Sequence, residues 1–181
     1  FQGDLDRQRN ALNALIAVVI QRNEDIKKLI GAASAGQIDA RADVSHYPVY
    51  NGVMIGRINT LLDAVTKPVE VTSDRIRRLA AGEQPPLIED ELHGRFAELK
   101  DSVNGLIEVS RQRNADLKLL IAAASEGRLD VRADPSRYTG QNGQLIADVN
   151  AMLETLVQPV RHAAQVIDQL ARGETPSPLR E

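Results

Sequence analysis

The side chains of this sequence best able to move a proton or carry a phosphoryl group near neutral pH are three histidines, His46, His93 and His162. A phospho-accepting histidine stands exposed on a helix beside an acidic residue, whereas His162 is followed by two alanines. The three also occupy non-equivalent places in the internal repeat described below, so they read as surface or rim residues. Without cysteine, the chain has no disulfide, thiolate metal site or thiol nucleophile. It shows no glycine-rich phosphate loop, no Ser-His-Asp set, and no Glu-Glu or Gln-Glu pair on a helix face. The sequence therefore predicts no catalytic residue, no cofactor and no metal site. It reads as a protein that is not an enzyme.

Composition points to helices. There is no Trp, and only two Phe and three Tyr, so the core lacks the rings that usually bury ~150–250 Å² each. It must be built from Leu, Ile, Val and Ala, which favours helix packed on helix. Net charge is −3, with both signs interspersed and no basic run, so nucleic acid is not an expected partner. The most apolar stretch, residues 11–20, is well short of the ~20 residues a spanning helix needs. No direct membrane insertion is expected. Absence of cysteine fits a reducing compartment, and a cytoplasmic location is the expectation, including as the cytoplasmic part of a membrane-anchored receptor. Phe1-Gln2-Gly3 resembles the end of an engineered cleavage site, and residues 1–3 are set aside as a tag remnant.

Two repeats are nested in the chain. Displaced by about 91 residues, 21–88 falls on 112–179 with roughly 30 of about 68 positions identical. QRNEDIKKLIGAASAGQIDARAD answers QRNADLKLLIAAASEGRLDVRAD. Asn51-Gly52 matches Asn142-Gly143, Pro68-Val69 matches Pro159-Val160, and LAAGEQP matches LARGETP. A half-period runs inside it: apolar-Asn-x-apolar-apolar recurs with its asparagine at Asn13, Asn59, Asn104 and Asn150. Glycines at Gly36, Gly82, Gly127 and Gly173 close helical runs at the same interval. After Gly36 and Gly127 comes Asp-x-Arg-Ala-Asp; after Gly82 and Gly173 comes Glu-x-Pro.

Apolar residues between the glycines recur in steps of three and four, as in Phe96, Leu99, Val103, Leu106 and then Leu117, Leu120, Ala124. That is a heptad seam, and it predicts helices near 4–35, 51–81, 91–126 and 142–172. Glycine ends each because only glycine takes the left-handed conformation without a Cβ penalty. Pro68 and Pro159 lie inside helical patterns, where each should kink its helix or divide it in two. Connectors 37–50 and 128–141 are longer than the ~2–8 residues that join antiparallel neighbours. They have slack enough to climb back and start a parallel helix, and they carry apolar anchors at Ile38, Tyr47, Leu129 and Tyr138. The Arg41-Ala42-Asp43 and Arg132-Ala133-Asp134 triplets read as solvated turns. The asparagines are placed to bond the connector backbone and hold it to the helix. A stripe of this length normally finds a partner, so a homodimer with a four-helix cross-section is expected.

The order of these motifs closely resembles consecutive HAMP domains, arrays of which occur in bacterial chemoreceptors and sensor histidine kinases. The resemblance spans nearly all of 4–181 and rests on G-x-[IL]-D-x-R-A-D, then INTLLDAVTKPV or VNAMLETLVQPV, then I-x-x-L-A-x-G-E-x-P. It implies an all-α fold in which each unit is helix, connector, parallel helix, dimerising as a parallel four-helix coiled coil with long helices shared between units. Carried onto this chain, 4–20 is the second helix of a preceding unit. Complete units follow at 21–66, 67–110 and 112–157, and 158–181 opens another. Pro68 and Pro159 match the proline near the start of a first helix, and the four glycines match the one that ends it. The acidic-acidic-x-Gly start of the second helix occurs only in the middle unit, at 90–94; the outer units have Tyr-x-x-x-Asn-Gly there. The resemblance places Leu12, Leu15, Ile58, Leu61, Val103, Leu106, Val149 and Met152 in the dimer seam.

What this implies is a signal relay between input and output domains of one polypeptide, working by alternative helix packings, with itself as partner. The main alternative is a structural coiled-coil spacer without switching. A third is an antiparallel bundle that binds a helix or lipid.

Overall fold

A computed structural model describes residues 2–175, the side chain of Val49 excepted. Four helices carry the chain: α1 (Gln2–Ser34), α2 (Val49–Ala80), α3 (Arg95–Ser125) and α4 (Gln141–Ala171). The described residues form no strand, and short 3-10 turns at Val44–His46 and Pro135–Arg137 precede α2 and α4. Helix α3 begins four residues after the expected 91. Gly94, at φ 56°, separates it from the acidic stretch before it, and Ala97 N–H closes its first turn on the Gly94 carbonyl at 3.0 Å.

The helix ends follow from glycine. Gly36 has φ 83°, and a Cβ built there would meet nothing within 4 Å, so it is backbone conformation and not space that demands glycine. Gln37 N–H then reaches back to the Ala32 carbonyl at 2.9 Å and Gly36 N–H to Ala33 at 3.0 Å, the two bonds of a Schellman cap. Arg128 to Ala123 (2.9 Å) and Glu174 to Gln169 (3.0 Å) repeat the longer bond after α3 and α4. Gly82 and Gly173 share the left-handed conformation, with φ 82° and 75°.

Neither proline divides its helix: α2 runs through Pro68 and α4 through Pro159. A proline removes one ladder bond, and some ten residues of intact helix on either side hold the element together. Pro68 is also buried, and the Thr72 hydroxyl donates to its carbonyl at 2.8 Å.

The chain packs as two units, Phe1–Ala81 with Ile88–Asp101, and Gly82–Leu87 with Ser102–Glu181. In the first, helix direction can be read from hydrogen bonds. Thr66, late on α2, donates to the Ile38 carbonyl just beyond the end of α1. Asn51, early on α2, accepts from Arg22, twelve residues before the end of α1. The connector thus descends beside α1 and α2 climbs back, so the two helices are parallel. Residues 51–66 rise about 22 Å, close to the length of α1 beyond Arg22. The second unit repeats the order, with Arg113 on Asn142 and Arg132 on Glu154. An antiparallel bundle would bring Asn51 to the end of α1, and that alternative falls.

Ile55 and Ile146, equivalent across the repeat, are both fully buried. Around Ile146 gather Leu120, Ala133, Tyr138 and Leu153, with Leu117, Val131 and Val149 packed against them. The core of the second unit is therefore helix, connector and helix in contact.

Candidate functional site

Each outer connector is fastened to its helices by the same side chains. On α2, Asn59 Nδ2 donates to the Ala42 carbonyl at 2.8 Å, and its Oδ1 accepts from the Ala42 N–H at 3.2 Å. On α4, Asn150 makes the same pair with Ala133, at 2.7 and 3.2 Å. A carboxamide is the side chain that offers a donor and an acceptor side by side, matching one residue of extended backbone.

The Arg-Ala-Asp triplets are not solvated turns. Arg41 grips Asp63, four residues after Asn59, with Nη2 at 2.6 Å, and turns Nη1 to the carbonyls of Ile38 and Ala40. Arg132 does the same with Glu154 at 2.6 Å and the carbonyls of Leu129 and Val131. Positions i and i+4 share one helix face, so Asn and the acidic residue address the connector together. The aspartates do not pair with these arginines: Asp43 and Asp134 accept from the Ser45 and Ser136 N–H groups and cap the 3-10 turns.

Below the triplet, Tyr47 and Tyr138 are buried. The Tyr47 hydroxyl donates to Asp25 on α1 at 2.5 Å, and the Tyr138 hydroxyl donates to Asp116 on α3 at 2.7 Å. Arg22 reaches Asn51 at 3.1 Å, and Arg113 reaches Asn142 at 2.9 Å. The glycine after each asparagine lets the helix start close to the turn: a Cβ at Gly143 would stand 3.0 Å from the Tyr138 carbonyl and 3.1 Å from that of Pro135. Sequence reasoning missed Asp25, Asp116, Arg22 and Arg113. Their signal was identity across the repeat inside QRNEDIK and QRNADLK.

Electrostatics follow the geometry. Burial, and then the hydrogen bond to a carboxylate, push the Tyr47 and Tyr138 phenols up to about 12. The Tyr47 hydroxyl, with Gln21 and Lys28, holds Asp25 below the usual carboxylate range. The Ser45 N–H does so for Asp43, and Gln158 and Arg132 do so for Glu154. An unfolded tyrosine releases its proton near 10, while the folded protein keeps it toward 12. The stability contributed by these phenols is whole below about pH 10 and is lost as pH climbs toward 12. Phenolate absorbance of the folded protein should show two tyrosines ionising late, and substituting Phe at 47 or 138 should remove one of them. Two late phenols in Tyr47→Phe would break the assignment.

The remaining predicted residues sit as follows. Ile38 and Leu129 are half-buried at the connector starts. Asn104 is half-buried on α3, and Asn13 is exposed on α1. His46, His93 and His162 are exposed. Of the seam residues, Val103 is buried, Ile58 and Val149 are half-buried, and Leu12, Leu15, Leu61, Leu106 and Met152 are each more than half exposed. Residues 176–181 of the last stretch lie outside the described part. In the middle connector, Pro85 is fully buried and its carbonyl accepts from Arg111 at 2.6 Å.

Among the described residues, no group of three or more His, Cys, Asp or Glu is arranged to hold a metal ion, and no helix is long and apolar enough to cross a membrane. One groove along α2 is lined by Thr60, Asp63, Ala64, Lys67, Pro68, Val71, Asp90, Glu91 and Leu92. The arrangement fastens connector backbone to helix. A family model described as HAMP domain matches residues 50–112 and 137–181, together more than half of the chain. No solved structure matches it.

Proposed function

The chain belongs to the HAMP domain family, whose members are non-catalytic signal-relay modules, and on that premise we propose that it passes a conformational change between input and output domains of a chemoreceptor or sensor kinase. It acts as a parallel homodimer in the cytoplasmic part of that receptor. One observation carries this reading. A run of large apolar side chains at heptad spacing lies open on helices that are already parallel within each chain: Leu61 is 65% exposed, Leu106 54% and Leu156 60%. Leucines left this open to water on the helices of both units are what a second copy would cover.

Switching follows from the seam's composition. Leu12, Leu15, Ile58, Leu61, Val103, Leu106, Val149 and Met152 differ in length and branching. A bundle packed from such a mixture has more than one arrangement within a few kcal/mol. A twist or tilt of the incoming helices selects between them, and α2 and α3, each about 30 residues long and unbroken, hand the change on. The two connector types alternate along the chain, and we read them as marking units that rest in different packings. The spacer alternative is favoured by one fact, the identical fastening of both outer connectors, which stiffens them. Relay and spacer separate on variants at Pro68 and Gly82, which a spacer tolerates with output unchanged.

The missing cysteines give a direct test. Single substitutions Leu61→Cys, Leu106→Cys and Leu156→Cys, mildly oxidised and resolved under denaturing conditions, should each give a disulfide dimer. A protein that stays monomeric at all three positions would remove the parallel homodimer and the relay with it.

A further inference from the structure

Two motifs remain without a role in that reading: Gln-Arg-Asn-x-Asp at 21–25 and 112–116, and Tyr-x-x-x-Asn-Gly at 47–52 and 138–143. In space they meet. The first helix supplies a cation and, three residues on, an anion. The end of the connector supplies a hydroxyl donor and, four residues on, the start of the second helix supplies a carboxamide acceptor. The pairs form between Arg22 and Asn51 and between Tyr47 and Asp25, and again between Arg113 and Asn142 and between Tyr138 and Asp116. Tyr47 lies in the extended end of the descending connector and Asn51 in the first turn of α2, so the two bonds tie connector and second helix to one place on the first helix, and both form at one register. One turn further along, Tyr47 would face Lys28 and Tyr138 would face Leu119, and neither accepts a hydrogen bond. Tyr138 and Asp116 are both buried, where a lost partner is not replaced by water.

We infer that these motifs are a register lock, fixing how far the second helix of each outer unit stands along the first. Sliding by one helical turn moves the helices about 5.4 Å, which carries bonds of 2.5–3.1 Å out of reach. The fastening continues up α2 through Asn59, Asp63 and Thr66, so a slide would break the connector bonds as well. Independent turning of the first helix would swing Asp25 away from Tyr47. The helix pair of an outer unit therefore moves as one body, and what it transmits is turning or tilting of that pair, not sliding within it. The functional consequence rests on the relay reading; the lock itself does not.

Spin labels test this on the intact chain. Glu24→Cys on α1 and Arg57→Cys on α2 are both at exposed positions, and dilution with unlabelled protein isolates the distance within one chain. Deleting exposed Ala17 should leave the 24–57 distance unchanged and narrow. In Tyr47→Phe/Asn51→Ala the same deletion should shift it by about 1.5 Å or spread it. If the distance follows the deletion with the motifs intact, or stays narrow without them, the lock is wrong. Should the deleted chain fail to fold, the width in the undeleted protein decides, narrow with the motifs and broad without. Ala115→Cys with Asp148→Cys repeats the test in the second unit. Failure of the relay would look different: the distance between Asp148→Cys labels on two chains would ignore the deletion while the lock still held.

Discussion

Asn150→Ala should lower the unfolding free energy by about 2–4 kcal/mol, because it strands two backbone groups at once. The Ala133 N–H and carbonyl both bond to Asn150, and Ala133 is buried at 7% exposure. Water cannot easily take the place of the carboxamide there. Asn150→Asp separates the two halves of the effect: it keeps an acceptor for the N–H but sets an anionic oxygen against the Ala133 carbonyl, so it should be nearly as damaging. Asn59→Ala makes the internal comparison. Ala42 is only half-buried, so solvent can reach its freed groups and the loss should be closer to 1 kcal/mol. Urea unfolding of the three variants gives the order. If Asn59→Ala proved the costlier alanine variant, burial would not be what sets the price of the missing bonds.

The contrast shows what a sequence of this kind discloses. Helix existence was legible because three- and four-residue apolar steps and a left-handed glycine leave few alternatives, and the spacing of Asn59 and Asn150 singled them out. Helix direction was legible only through the family resemblance, since a connector of that length permits either sense; Arg22 on Asn51 and Thr66 on Ile38 give it physically. Arg41 was misread for a related reason. Its nearest carboxylate in sequence is Asp43, but Asp43 is occupied by the Ser45 N–H, and the partner in space is 22 residues away at Asp63. Asp25 and Asp116 resemble ordinary solvated helix residues until a tyrosine from the connector arrives. Polar partners distant in sequence have no periodicity to announce them. Only their recurrence in both halves of the repeat could have done so.

The same limit applies to the division between core and seam, since Ile146 and Leu156 belong to one apolar pattern on one helix. Ile146 is fully buried within the chain and Leu156 is 60% exposed. Ile146→Ala should cost about 2–5 kcal/mol, the transfer of the lost atoms plus a cavity among Leu120, Ala133, Tyr138 and Leu153. That cost belongs to the single chain and should be the same at any protein concentration. Leu156→Ala would change a lone chain by only about 0.5 kcal/mol, as exposed substitutions do. In the dimer the same substitution removes a buried leucine from each chain, and the loss should be large and should grow on dilution, because association and folding are then linked. Unfolding both variants and the parent at two well-separated concentrations resolves the two terms. A Leu156→Ala protein matching the parent at both would mean that this face is not the seam. An Ile146→Ala protein whose deficit depended on concentration would mean that the helix, connector and helix of one chain do not make a core by themselves.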